Sequence, residues 1–571
     1  MDAHKAMITD IFNNATLLEV PFFQRPYVWK ADLWERLLDD MEYVVKSKKP
    51  HFLGSIILKE GRKPTSGDNF AACKTVVDGQ QRLTTFIIFM KVLCLKTGQT
   101  TLFEYQFRIR GNEVALRHGK NDIEAFNKVV SMTAADKITD VNSRIIDAYN
   151  YFVEKMDASK LDIMSIITNT QFVRIDLDAG EDEQQIFDTI NSLGVNLTTS
   201  ELLKNYFFSR DTIAEYEDKW VSVFEKDDDT KAYWEKEVEV GRTKRAMIDI
   251  FFDAYFQLFI QNKKYSISNE DKLTYERIDH LAQSYQHFIN KYCGGDKNVI
   301  LASLKEYAEC FSQNMNPDLC DECIPATYGI ERLNVVIFGL KNSTMIPYVL
   351  YAAKNISNQN EFNRICGILE SYTMRRMIAR ATTKNYNNLY TSLISNEIAD
   401  SQSLMNRLTS GKDSTTYIPS DTELEDGFHN SKIYNLQTKG ILYLLESGIR
   451  PANSSTALLG FNSYSLEHMM PKKWKNHWTG CATEEAEKER DSILLTLGNL
   501  AIIPQALNAF VRDADWETKK AGKKDKPGLK ICASGLRTIQ EALDKDTWNE
   551  DEIKSRAEWL YEEAAKLWKI C

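Results

Sequence analysis

The order of apolar and polar positions divides the chain into a mixed first third and a helical remainder. "HFLGSIILKE" (51–60) and "TVVDG" (75–79) are short runs rich in aliphatic, partly β-branched residues, which predicts two strands. The polar stretch "EGRKPTSGDNFAACK" between them reads as a loop. "RLTTFIIFMKVLCL" (82–95) is apolar on nearly every side and predicts a buried helix. "QFVRIDLDAGEDEQQIFDTIN" (171–191) reads as strand, acidic turn and helix. "TSELLKNYFF" (199–208) opens a further helix, with Thr199 or Ser200 as its cap and Glu201 in the first turn. From about 216 to 400, Leu, Ile and aromatic residues recur at spacings of three and four, so helix follows helix. The main interruptions are "GGDKN" (294–298) and "NMNPDLCDECIP" (314–325). The polar run "TSGKDSTTYIPSDTELEDG" (409–427) reads as a link to a last unit. There "YSLEHMMPKKW" (464–474) and "LGNLAIIPQALNAF" (497–510) predict strand, loop, strand, helix. The pattern therefore predicts a mostly α, multidomain chain: an α+β part over 1–215, a helical linking part over 216–410, and a third part over 411–571.

Composition narrows the class without naming a function. Apolar residues make up 43% and charged residues 27%, ordinary for a soluble globular protein. A net charge of −10 argues against general stickiness for nucleic acid, while leaving room for a local basic groove. The start "MDAHKAMITDIF" lacks the basic, then apolar, character of a signal peptide. No run approaches the roughly 20 apolar residues of a membrane span. Ten scattered cysteines suit a reducing compartment, so a cytoplasmic protein with no membrane partner is expected. Cys320 and Cys323 form a CxxC without a second pair at zinc spacing.

Two stretches carry candidate chemistry. In "VVDGQQR" a strand gives way to a helix at Asp78 and Gly79, and a helix start offers free N–H groups and a positive dipole end to phosphate. Gly79 allows close backbone approach, Gln80 and Gln81 add amide donors, and the Arg82 fork suits phosphate oxygens. Asp78 could hold a divalent cation or position a water. The P-loop pattern GxxxxGK[ST] is absent, so a nucleotide site here is of another kind. "PFFQRPYVWK" sets Phe22, Phe23, Tyr27 and Trp29 around Gln24 and Arg25, residue types that can grip a base, although such rings more often build cores.

The second stretch is the C-terminal strand–loop–strand. A metal-assisted nuclease needs a base for water and a cation on the scissile phosphate. His468 suits the base, because its imidazole is neutral near working pH. Glu467 and Asn508 offer oxygen ligands for Mg²⁺ or Mn²⁺. Asn499, placed with His468 in the catalytic group, would tie the loop and hold the His-bearing backbone. Strand alternation sends Glu467 and His468 to opposite faces, so both reach one site only at a twist or a strand end. Lys472, Lys473, Lys475, Lys519, Lys520, Lys523, Lys524, Lys526 and Lys530 crowd the same region, as a DNA backbone groove would require.

Both stretches resemble one family, the GmrS–GmrD-type, modification-dependent (type IV) restriction endonucleases, with the phosphorothioate-sensing defence nucleases among the relatives. The resemblance rests on "FQRPYVW", "FLGSIIL", "VVDGQQRLTT" and "IFDTINSLGVNLTTSELLKN" over roughly 8–210. Over about 430–560 it rests on Glu467-His468-Met469-Met470-Pro471, Gly498-Asn499-Leu500, Asn508 and Lys519 or Lys520. Leu193 stands where the family often has Arg, and Met469 where it has a branched residue. "YTMRRMIAR", with Arg375 and Arg376, is also similar to a family stretch and reads either as DNA contact or as bundle salt bridges. The resemblance implies a ParB/sulfiredoxin-like first domain that hydrolyses GTP, UTP or ATP through Asp78, Gly79, Gln80, Gln81 and Arg82, with Arg25 and Tyr27 beside the pocket. It implies a last domain of the HNH (ββα-metal) nuclease kind that uses His468, Asn499, Glu467 and Asn508. Modified phage DNA and nucleotide are the implied partners, and a homodimer is allowed. The rival expectations are a nucleotide-gated DNA-binding regulator without nuclease activity and an RNA-cleaving toxin.

Overall fold

Two apolar clusters lie on opposite faces of one six-stranded sheet, and alternation along the strands decides which residue joins which. The structure, a computed structural model, describes residues 2–570 other than 22–23, 25, 62, 66–67, 110–112, 120–121, 178–197, 209–211, 242, 276–279, 411–414, 434, 452–455, 506–512 and 524–525. The chain divides into two units, Met1–Glu217 and Asp218–Cys571.

The first unit is built on β1 (Asp2–Met7), β2 (Thr16–Glu19), β3 (His51–Glu60), β4 (Ala72–Asp78), β5 (Leu116–Arg117) and β6 (Thr170–Leu177). Their order is β1-β6-β3-β4-β2-β5. The sheet is mixed: β3 runs parallel to β6 and antiparallel to β4. On β3, Ile56 and Leu58 join the larger cluster, whereas Ile57 joins Val77, Ile175 and Leu177 on the other face. Helices α1 (Ala31–Ser47), α2 (Gln80–Lys96) and α3 (Arg144–Lys155) supply most of the helical side of the larger cluster. Helix α2 is the buried helix expected at 82–95: Leu83, Phe86, Ile87, Phe89 and Met90 are fully buried. Each such side chain contributes roughly 1.5–3 kcal/mol. The strands expected at "HFLGSIILKE" and "TVVDG" are β3 and β4. The acidic turn and helix expected after β6 lie outside the described residues. The helix Thr199–Phe207 is capped by Thr198, one residue before the expected cap, because its capping box pairs the cap with Glu201 three residues on.

In the second unit, the small hairpin β7 (Glu237–Val240) and β8 (Thr243–Ala246) precedes helices that include α4 (Met247–Ile260), α5 (Gln359–Ile378) and α6 (Asn435–Ile449). A second hairpin, β9 (Tyr464–His468) with β10 (Leu500–Pro504), is followed by α7 (Trp516–Ala521) and α8 (Glu550–Leu567). A buried polar knot ties these elements together. Arg332 donates Nε to Glu370 Oε2 at 2.8 Å and Nη2 to the Leu444 carbonyl at 2.9 Å, and Trp568 Nε1 donates to Glu370 Oε1 at 3.0 Å. Arg375 and Arg376 are at most 1% exposed. Arg375 donates to the carbonyls of Trp568 and Pro419 and pairs with Asp421. Arg376 donates to the carbonyls of Tyr417 and Thr415 and lies over the rings of Tyr372, Tyr386 and Tyr417. These two arginines are internal pins, and the DNA-contact reading of "YTMRRMIAR" falls with their burial.

The second half of the expected link 409–427 is also structured. Ser420 and Glu423 form a capping box, and the helix Asp421–Asn430 begins there. Among the described residues, no helix is long and apolar enough to cross a membrane.

Candidate functional site

In the first unit the turn between β4 and α2 is set by glycine. Gly79 has φ +97°, and a Cβ there would lie 2.6 Å from Ile56 Cγ2. Gly79 has no side chain with which to cap α2, and the helix's first turn holds no acidic residue. Arg82 donates Nη2 to Asp78 Oδ2 at 3.2 Å and Nη1 to the Ser55 carbonyl. The guanidinium lies over Gly54, which has φ +118° and whose Cβ would meet Nη1 at 2.9 Å. Gly54 was not singled out from the sequence, although a glycine inside a strand pattern signals close approach of another group.

The amides beside this turn are largely committed. Gln81 Oε1 accepts from the Val28 N–H at 2.9 Å, and its Nε2 donates to the Pro26 carbonyl at 3.3 Å. Gln81 thereby staples the "RPYVW" stretch to α2. Gln80 is buried beside it. Tyr27 is 2% exposed; its hydroxyl meets Thr85 Oγ1 at 2.6 Å and accepts from Trp34 Nε1 at 2.8 Å. Burial pushes that phenol well above its ordinary range. The Tyr27 ring therefore sits in the core and offers no face for stacking on a ligand. Arg25 lies outside the described residues. Asp122, raised by burial, accepts from the Tyr27 N–H at 2.7 Å, and His118 Nε2 meets Thr84 Oγ1 at 3.1 Å. His118 is buried and pushed down to about 3 by that burial, so its ring is neutral. His118 and Asp122, which meet α2 and the Tyr27 backbone in this way, were not read from the sequence.

In the second unit β9 and β10 pair antiparallel, with His468 opposite Leu500 and Glu467 opposite Ala501. Asn499 is fully buried and holds the end of the hairpin through its amide. Its Oδ1 accepts from the Met470 N–H at 2.8 Å and from Trp548 Nε1 at 3.0 Å. Its Nδ2 donates to the carbonyls of Met470 at 2.8 Å and Leu494 at 3.0 Å. With both hydrogens and the oxygen engaged, Asn499 holds the backbone that follows His468 and has nothing left for a substrate. Arg556, on α8, donates Nη1 to the carbonyls of Leu497, Gly498 and Leu500, which clamps the same turn from beneath.

The His468 ring is half-buried. Burial, then the charges of Lys472 and Lys519, push it down to about 4, so it is a neutral base at ordinary pH. Glu467 points into the protein, 5% exposed, and pairs with Lys519, which is 0% exposed. Burial pushes the Glu467 carboxyl up and the Lys519 ammonium down, and each pulls the other back. Lys520 is also buried, donating to the Lys545 carbonyl at 2.9 Å. Lys519 and Lys520 are therefore internal. Of the described lysines in the expected basic run, Lys472, Lys473, Lys475, Lys523 and Lys530 are exposed, and Lys475 is paired with Glu487.

Of the two residues expected to hold a cation, only Glu467 can be judged, and it fits poorly. Asn508 lies outside the described residues, and the Glu467 carboxylate is engaged by an ammonium. Among the described residues no group of three or more His, Cys, Asp or Glu side chains stands together as a metal site, and Cys320 and Cys323 form none.

Part of the sequence of each unit has a counterpart among known families. Residues 8–208 match the family described as "GmrSD restriction endonuclease, N-terminal domain", and residues 418–563 match "GmrSD restriction endonucleases, C-terminal domain". Together the two matches span more than half of the chain, which belongs to the GmrSD restriction endonucleases. It is thus a nuclease of restriction defence with DNA as its substrate. No curated protein matches it.

Proposed function

We propose that this chain is a modification-dependent (type IV) endonuclease of antiphage defence, in which the second unit cleaves DNA and the first binds and hydrolyses a nucleoside triphosphate. The observation that carries the nuclease half is the hairpin at His468. Asn499, Lys519 and Arg556 spend their hydrogen bonds on its backbone and leave one neutral imidazole half-open to solvent. We read β9 and β10 as the strands of an HNH (ββα-metal) unit.

In the reaction His468 takes a proton from water, and the resulting hydroxide attacks the scissile phosphorus as the leaving oxygen departs. Lys472 and Lys473, exposed just after the hairpin, meet the DNA backbone. Mg²⁺ or Mn²⁺, when bound, would offset charge on the phosphate, and its protein ligands are to be sought at Asn508 rather than Glu467.

In the first unit, which we read as ParB/sulfiredoxin-like, the triphosphate of GTP, UTP or ATP lies at the positive dipole end of α2, at the turn that Gly79 makes with φ +97°. A phosphate oxygen competes with Asp78 for Arg82, and the freed Asp78 carboxylate orients the hydrolytic water. Nucleotide state and DNA modification each bias the nuclease, which restrains damage to unmodified DNA.

The test offers plain, methylated, glucosylated and phosphorothioated DNA, with RNA beside them, with each nucleotide and with Mg²⁺, Mn²⁺ or chelator. Cleavage of a modified DNA that responds to nucleotide and is lost in His468→Ala is expected. Cleavage of none, with His468→Ala protecting cells from phage as well as the native chain does, sinks the proposal. Cleavage of RNA alone makes it a toxin.

A further inference from the structure

Glu467 is the acidic neighbour of the histidine, the residue first expected to bind the cation. Its surroundings give it other work. Lys519, on α7, sends one N–H to Glu467 Oε1 and another to the His468 carbonyl at 2.7 Å. That carbonyl sits on the outer edge of β9. The Met469 N–H donates to the Asn499 carbonyl at 3.0 Å, and polar groups alternate sides along an antiparallel strand, so the His468 carbonyl faces away from β10. No further strand is paired to that edge among the described residues; the hairpin is two-stranded. Lys519 thus fills the place of a third strand at the one peptide that carries the base. Both partners are buried, and an ammonium and a divalent cation repel each other at one carboxylate.

We propose that Glu467 and Lys519 form a strut that fixes the His468 peptide, and that Glu467 is a positioning residue and no ligand of the cation. This rests on His468 being the base of the proposed nuclease. Lys519 alone would be an uncompensated buried charge, and Glu467 neutralises it. Because the two work as one unit, losing either has about the same consequence as losing both.

The experiment uses the full chain and compares Glu467→Gln, Lys519→Met and the double variant, with thermal unfolding as a check on folding. Two readouts are taken: Mn²⁺ binding by electron paramagnetic resonance, and kcat and KM for DNA cleavage. The strut predicts that each variant lowers kcat by roughly 10–100-fold, as partners that orient a reacting group do. The double variant falls no further, KM for DNA holds, and Mn²⁺ affinity stays within about twofold of native. Lys519→Arg, which keeps a donor to both oxygens, recovers part of the rate and stands in should Lys519→Met fail to fold. A Glu467→Gln chain with Mn²⁺ affinity down tenfold or more, or a Lys519→Met chain that binds Mn²⁺ more tightly, makes Glu467 a ligand and overturns the proposal. So do additive losses of kcat in the double variant. A native chain that binds no Mn²⁺ and cleaves in chelator removes the cation from the proposed function, and the kcat cycle still decides the strut.

Discussion

In the proposed function, the turn at Gly79 and the hairpin at His468 offer opposite parts of the chain for chemistry. At Gly79 the side chains are committed: Arg82 to the Asp78 carboxylate and the Ser55 carbonyl, and Gln81 to the backbone of Pro26 and Val28. What the proposed nucleotide site relies on is backbone, at the start of α2, where Gly79 has no side chain to cap the helix. At His468 the backbone is braced, by Asn499, Lys519 and Arg556, and what is left is one ring. A site built from main-chain N–H groups tolerates substitution of its side chains unless glycine is involved. A site built from one ring has no reserve.

The largest effect therefore falls on the ring. His468→Ala should lower DNA cleavage by roughly 10²–10⁴-fold, the usual worth of a general base, with nucleotide turnover and Tm near native. Gel assays of cleavage, run beside phosphate release, check both halves. A parallel loss of nucleotide turnover would break the division of labour between the two regions.

Asn499→Ala comes next and acts through stability. It strands the Met470 N–H and Trp548 Nε1 in a buried place, where each unsatisfied group costs about 1–3 kcal/mol. Thermal unfolding should show a loss of roughly 2–5 kcal/mol in the second unit, with cleavage lost alongside. An Asn499→Ala chain of native Tm that still cannot cleave would make the amide a reacting group after all.

Gly79→Ala sharpens the other side. Its φ of +97° and the 2.6 Å approach to Ile56 Cγ2 mean that even a methyl group strains the turn, by about 2–4 kcal/mol. Nucleotide binding by titration calorimetry should weaken more than in Gln81→Ala, whose amide touches only the chain. Equal losses would place the side chains, and not the backbone, in the binding role.

How much of this could be read beforehand follows the range of the interactions. β3, β4 and α2 were legible because period and apolar content act within ten to twenty residues. The strand-to-helix turn at Asp78–Gly79, on which the proposed nucleotide site rests, was legible for the same reason. Ser420-x-x-Glu423 was also local, and was passed over because the polar run around it looked like linker. Long-range partners were not legible. Lys519 lies 52 residues from Glu467, and nothing in the spacing says that it turns inward to meet it. For Arg375 and Arg376 the sequence offered DNA contact or bundle salt bridges, and only Trp568, Pro419 and Tyr417, distant in the chain, decide for the interior. Tyr27 looked like a stacking ring for the same reason: Thr85 and Trp34, which claim its hydroxyl, come from other elements.

The smallest expected effect is that of pH, and it separates the half-buried ring from an ordinary one. A solvated histidine titrates near 6.5, and a base of that kind would halve its rate there. His468 is held down to about 4, chiefly by burial and then by Lys472 and Lys519. Its base form therefore persists, and cleavage should change little from pH 8 down to about 5, falling only as pH nears 4. The linked effect on stability has the same sign. The folded chain resists a proton that the unfolded chain accepts near 6.5, so the histidine's contribution is present above that pH and fades as pH falls towards 4. His118, held down to about 3, extends the same loss further into acid in the first unit. Lys472 is exposed, so its share is screened by salt, and Lys472→Gln should move the acid limb of cleavage slightly upward at low ionic strength and not at high. A limb at 6.5 in the native chain would mean that the ring is fully solvated when DNA is bound, and that the hairpin opens before it acts.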